Sequence, residues 1–131
     1  MTHETDRRDD IVASVRLPPE SASAGVARRL VKTVLGEIVR PAALDDVVLL
    51  TSELVTNAVV HAGTPVDVLV RDLHGRVQIE VFDAGPQVPV VVDEVLACNS
   101  GRGLRIVAAL SEAWGAHPGR GGKTVWFRCQ A

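Results

Sequence analysis

From residue 11 to residue 17 the apolar side chains fall on alternate positions (Ile11, Ala13, Val15, Leu17), the period of a half-buried strand. Pro18 and Pro19 close that run. Over about residues 21–39 the period lengthens to that of a helix. Val26, Leu30, Val31, Val34, Leu35 and Ile38 make one stripe, with Arg28, Arg29, Lys32 and Glu37 on other faces. Pro41 separates this helix from a second one over about residues 44–62. Asp45 and Asp46 are expected in its first turn, where negative charge suits the helix dipole, and Gly63 and Pro65 are its stop signals. It is apolar almost all round, which places it in the core. Two strands follow, residues 66–71 and 77–82, joined by a turn at His74-Gly75. Residues 86–100 are Pro-containing and irregular, with one short helical stretch at 94–97. A third helix is predicted over residues 104–112, opened by Gly101-Arg102-Gly103. Two last strands, near 114–117 and 124–129, flank a turn at 118–122.

The resulting order, β-α-α-β-β-α-β-β, predicts an α+β fold: a two-layer sandwich of a mostly antiparallel mixed sheet with helices on one face. The chain has 131 residues, the size of one domain that buries its own core without disulfide or metal staples. Residues 1–10 read as a mobile, solvated tail and 11–131 as the domain. With 47% hydrophobic and 23% charged residues, the class is soluble and globular.

Charge and aromatic content narrow the function. The formal net charge of −2 excludes binding to nucleic acid through a general basic field, and 3% aromatics with no Tyr leaves no base-stacking platform. The charged first ten residues lack the apolar segment of a signal peptide, and no apolar run approaches the roughly 20 residues of a membrane span. Cys98 and Cys129 form no CxxC pair. The expectation is a cytoplasmic protein with reduced thiols.

Four groups of residues could carry chemistry. Glu53 and Asn57 stand at i and i+4, on one helix face one turn apart. If that face borders a cleft, the Asn oxygen can coordinate a hard cation such as Mg²⁺ and the Glu can deprotonate a nucleophile; if it faces water, Glu53 is simply solvated. Asp83-Ala84-Gly85 ends a strand so that a carboxylate can accept from an exocyclic amine while Gly85 admits close approach, although an ordinary turn uses the same residues. Gly101-Arg102-Gly103-Leu104 opens a helix whose free N–H groups can meet a phosphate, with Arg102 adding charge, or it is a plain hinge. Gly121-Gly122-Lys123-Thr124 either turns a hairpin or brings the Thr124 hydroxyl near Asp83. His61 ends the second helix, where a His is more often structural than catalytic.

Taken together, these segments resemble the motifs of the GHKL ATPases, the superfamily of gyrase, a heat-shock chaperone, histidine kinases and a mismatch-repair protein. Glu53-Leu-Val-Thr-Asn57-Ala-Val-Val-His61-Ala resembles the N-box, Asp83-Ala-Gly85 the first glycine box, Gly101-Arg-Gly103-Leu-Arg-Ile-Val the second, and Gly122-Lys-Thr124-Val-Trp-Phe the last strand motif. The match spans about residues 11–129. The short form, with Gly-Arg-Gly-Leu followed by Trp114-Gly115 and Gly-Lys-Thr-Val-Trp-Phe, is similar to the anti-sigma-factor serine kinases of actinobacteria. This resemblance implies a Bergerat-type ATP site. Asn57 would bind Mg²⁺ and Glu53 would be the general base. Asp83 would accept from the adenine amine beside Gly85. Residues 86–100 would form a lid, Gly101, Arg102, Gly103 and Leu104 would meet the phosphates, and Thr124 would support Asp83 through a water. The implied partners are a sigma factor and a small anti-sigma-factor antagonist phosphorylated on serine, with a second copy of the chain docking through the first strand and helix. The alternative is a nucleotide-dependent partner-switching module that does not phosphorylate. It is motivated by Gln87, which stands where the superfamily often has a further glycine, and by the shortness of residues 86–100.

Overall fold

The computed structural model describes residues 10–85, 102–119 and 121–131, apart from the side chains of residues 102–104. The expectations for residues 1–9, for the segment 86–100 with its short helical stretch, and for Cys98 and Gly101 lie outside the described residues. Among the described residues the chain forms five strands and three helices. In order they are β1 (Ile11–Leu17), α1 (Ala22–Leu35), α2 (Pro41–Ala62), β2 (Val66–Asp72), β3 (Arg76–Asp83), α3 (Arg102–Leu110), β4 (Ala113–Gly119) and β5 (Gly122–Gln130). Asp10, assigned to the tail by sequence, already accepts a backbone hydrogen bond from Asp72 N–H at 2.8 Å.

The sheet order is β1-β2-β3-β5-β4, and every described pair is antiparallel. A mixed sheet was expected; topology explains the difference. The chain leaves β3, crosses through α3 and enters β4 running in the same direction as β3. The β4–β5 hairpin then inserts β5 between them, so the two co-directional strands never touch. The β2–β3 connection is a tight turn in which His74 (φ 58°) and Gly75 (φ 111°) both take positive φ, as a two-residue hairpin of this hand requires. Asp72 Oδ1 supports it by accepting from His74 N–H at 2.9 Å.

The helices cover one face of the sheet. Val66, Val68 and Val70 of β2, Val77, Ile79 and Val81 of β3, and Phe127 and Cys129 of β5 point into a core closed by Val31 and Leu35 of α1, Val47, Leu50, Leu54 and Val55 of α2, and Val107 of α3. α2 lies against β2, β3 and β5 and touches both other helices, so its all-round apolar sequence matches a central position. Its outward line, Asp45, Leu49, Thr56 and Val60, is nevertheless exposed. α2 begins at Pro41, not at 44. Proline was read as a separator, but at the first helical position its missing N–H has no partner to lose. Asp45 and Asp46 therefore fall past the first turn, which contains no acidic residue.

α1 ends at Leu35, short of the expected 39, and turns at Gly36; its core face also differs from the expected stripe. Val31 and Leu35 are buried as expected, but Val26 and Ile38 are exposed, and Ala24 and Ala27 take the inner positions. Small side chains at Ala24 and Ala27 let the N-terminal half of α1 approach its neighbours closely, and Val31 and Leu35 fill the core beyond them. α3 starts at Arg102 and stops at Leu110, so Gly103 lies inside its first turn instead of ahead of it. β4 and β5 extend to Gly119 and Gly122, which pair with each other and narrow the expected turn. None of the described helices is long and apolar enough to cross a membrane.

Candidate functional site

The site is built at the end of β3, where a carboxylate continues the row of core valines. Val77, Ile79 and Val81 face the helices, and two-residue alternation places Asp83 on that same face. Its side chain is 2% exposed. A carboxylate there needs donors, because an unpaired buried charge is strongly disfavoured. Two are present: Gly85 N–H donates to Asp83 Oδ1 at 3.0 Å, and Lys123 Nζ reaches the same oxygen at 3.3 Å. The turn between them is held from the other side, where Ala84 N–H donates to Thr64 Oγ1 at 3.1 Å.

Two glycines make this geometry possible. A Cβ on Gly85 would come within 3.0 Å of both the Ala62 Cβ and Asp83 Oδ1, so glycine lets the strand exit press against the last turn of α2. A Cβ on Gly122 would collide with the Asp83 carbonyl oxygen, and also with Phe82 and Ala84, where β5 begins beside β3.

Thr124 does not join this group. In the β3–β5 register Asp83 faces Lys123 and Phe82 faces Thr124. Paired residues share a face and neighbours in a strand alternate, so Thr124 lies on the side of the sheet away from Asp83. The expected water-mediated support of Asp83 by Thr124 is thereby corrected: the contact belongs to Lys123. In the sequence this lysine is only one residue of the Gly121–Thr124 segment and has no role of its own. The signal that could have found it was strand parity, which needs the register to be known.

Asn57 and Glu53 lie on α2, both half-buried, on one face as their spacing requires. Ala62, against Gly85, ends the same helix. At the usual rise per residue, Asn57 is about 8 Å and Glu53 about 14 Å back along the axis from Ala62. Along the axis, Asp83 and Gly85 thus stand at the C-terminal end of α2, Asn57 before them and Glu53 toward the middle, while around the axis Ala62 lies about 140° from Asn57 and about 180° from Glu53. Arg28 Nη1 donates to Ser52 Oγ at 2.8 Å and ties α1 to α2 beside Glu53. Among the described residues, no ion pair involves Glu53. Asn57 Nδ2 is the one buried side-chain polar atom without a hydrogen-bond partner among them. Such an atom costs about 1–3 kcal/mol unless something satisfies it. α3, which carries the second glycine motif, packs on α2.

No cluster of three His, Cys, Asp or Glu side chains that could cage a metal occurs among the described residues. Magnesium does not need one, since it is commonly held by few protein ligands together with phosphate oxygens and waters. The Asn57 amide fits that role when it is flipped, so that its oxygen, the atom able to ligate a cation, takes the place of the unpartnered Nδ2. His61 sits exposed in the last turn of α2.

An antiparallel five-stranded sheet with three helices on one face, a buried acceptor at a strand end and an Asn–Glu pair on the central helix together outline an ATP-binding domain of the histidine-kinase type. The family model described as the histidine kinase-like ATPase domain matches residues 17–129, and the chain belongs to that family. The fold is shared with a solved structure described as the RsbU and RsbW domains of Rv1364c from Mycobacterium tuberculosis. That likeness has a TM-score of 0.68 and 23% identity over 90% of this chain. This chain spans 31% of the length of that one. No curated protein matches the chain significantly.

Proposed function

We propose that this domain binds Mg-ATP along α2, with the base at Asp83 and the phosphates toward Asn57 and Glu53, and transfers a phosphoryl group to a serine of a small antagonist protein while gripping a sigma factor in its other state. The observation that carries this reading is the buried Asp83 carboxylate beside Gly85, a glycine whose Cβ would strike Ala62 of α2, the same helix on which Asn57 Nδ2 is buried without a partner. The anti-sigma role rests on the sequence resemblance, and the fold shared with a structure containing an RsbW domain supports it.

In this arrangement Asp83 accepts a hydrogen bond from the exocyclic amine of adenine, and Gly85 leaves room for the purine edge. Asn57 turns its amide oxygen to Mg²⁺. Held there, Mg²⁺ would supply positive charge against the negative charge that develops on transfer. Gly101, Arg102, Gly103 and Leu104 meet the phosphates with the free N–H groups of the first turn of α3. Glu53 takes the proton from the attacking serine hydroxyl. Exposed Ile11 and Val12 on the edge strand β1 support docking of a second copy there.

Incubation with labelled ATP and candidate antagonist proteins, followed by mass spectrometry, tests the proposal. Phosphoserine should appear on one of them. Glu53→Gln should keep ATP binding within about threefold while slowing transfer by at least about 100-fold. Transfer at the wild-type rate would remove Glu53 from its role as base. ATP-dependent binding of the partner with no phosphoserine would support the partner-switching reading, which Gln87 and the short segment 86–100 favour.

A further inference from the structure

The proposed function leaves one charged group at the site unused. Lys123 stands on β5 directly across from Asp83, on the same face of the sheet, with its ammonium 3.3 Å from Asp83 Oδ1 and its side chain 27% exposed. Oδ1 thus accepts from both the Gly85 N–H and the Lys123 ammonium. Gly122 is what allows this: only a residue without a Cβ lets β5 start close enough to the Asp83 backbone for the next side chain to reach the carboxylate.

We propose that Lys123 is the positioning residue that sets purine selectivity at this site. It pins one carboxylate oxygen and supplies the counter-charge, so that Asp83 meets the base as an acceptor only. This rests on the reading of Asp83 as the acceptor for the adenine amine. An acceptor-only group pairs with the exocyclic amine of adenine and repels the carbonyl that inosine or guanosine nucleotides carry at the same place. Replacing the lysine by a side chain without the ammonium removes the group that holds Oδ1, so the carboxylate is free to turn and is no longer held toward an amine and against a carbonyl. The purine preference therefore lies in the Lys123–Asp83 pair and not in the carboxyl group alone.

Titration calorimetry with Mg-ATP and Mg-ITP on the full chain tests this, using wild type, Lys123→Met, Lys123→Gln, Lys123→Arg and Asp83→Asn, each checked for its fold by circular dichroism. Lys123→Met and Lys123→Gln should weaken ATP binding about tenfold and reduce the ATP-over-ITP preference by at least about tenfold, whereas Lys123→Arg should keep both within about threefold of wild type. A merely structural lysine would weaken both nucleotides equally and leave the ratio alone. An unchanged ratio, or unchanged or tighter ATP binding, in the two neutral variants overturns the proposal. If Asp83→Asn loses ATP binding while the neutral lysine variants behave as wild type, the inference fails and the site reading stands. If Asp83→Asn binds ATP as wild type does, the site reading fails and the inference goes with it.

Discussion

Asp83 and Cys129 are both buried on the helix face of the sheet, at opposite ends of the β3–β5 ladder, and they meet burial in opposite ways. Asp83 lies across from Lys123 and has two donors. Cys129 lies across from Val77, and burial pushes its thiol from 9.0 to about 11. The carboxylates of Asp46 and Glu112 push it the same way, while a backbone hydrogen bond at Glu112 pulls against them. Between these two values the folded thiol keeps a proton that the unfolded chain has lost, so the folded state binds more protons and stability falls as pH rises. The loss should come to about 1–2 kcal/mol across that window. Urea unfolding at several alkaline pH values checks this, and a Cys129→Ala variant should flatten the slope. Gly122 yields a second prediction at this scale. Because a Cβ there meets the backbone of β3 rather than a movable side chain, Gly122→Ala should cost about 1–3 kcal/mol in the same assay. These two positions also show how far single residues were legible. Asp83 and Gly85 stood out as a strand-ending carboxylate and its glycine, whereas Lys123 and Thr124 exchanged roles because only the register says which of two neighbours faces inward.

Among the elements, α2 matters most. It is the central helix, it carries Glu53 and Asn57, and its last residue forms the floor under Gly85. Its position was evident from its apolar sequence. Its start was not, because a proline ends one helix or begins the next depending on which N–H groups need partners. Leu50 is fully buried, three residues before Glu53 and seven before Asn57 on α2. Leu50→Ala should destabilise the domain by about 2–5 kcal/mol by leaving a cavity. It should also weaken ATP binding, since the helix that carries Asn57 would settle toward the sheet. Denaturant unfolding and calorimetry on the same variant check both. α1 gives the complementary lesson. Periodicity identified the helix, but its inner face is set by alanines, whose small size decides the closeness of packing and whose weak hydrophobic signal hides that role.

At the scale of the whole molecule, the site from Asp83 to Glu53 joins β3, β5 and α2, and nucleotide binding should therefore stabilise the entire fold. Mg-ATP at about 100 times its Kd should add about 2.7 kcal/mol, visible as a rise in the thermal midpoint. Asn57→Ala should abolish most of the Mg²⁺-dependent part of that rise while leaving the melting of the free protein within about 1 kcal/mol, because the variant removes a buried amide that has no partner to lose.

The sequence by itself determined the order of the described elements, the α+β class and the placement of Asn57 and Glu53 on one helix. Each of these rests on local periodicity or on residues a few positions apart. Tertiary structure alone decided that β5 separates β3 from β4, making every described pair antiparallel. It also decided that Ala24 and Ala27, not Val26 and Ile38, line the core, and that Lys123, not Thr124, faces Asp83. These outcomes share one physical cause. Which strand lies beside which, how closely a helix approaches, and which side of a sheet a residue takes are fixed by contacts between different elements, such as Arg28 with Ser52 and Lys123 with Asp83, 24 and 40 residues apart, and no local pattern carries that information.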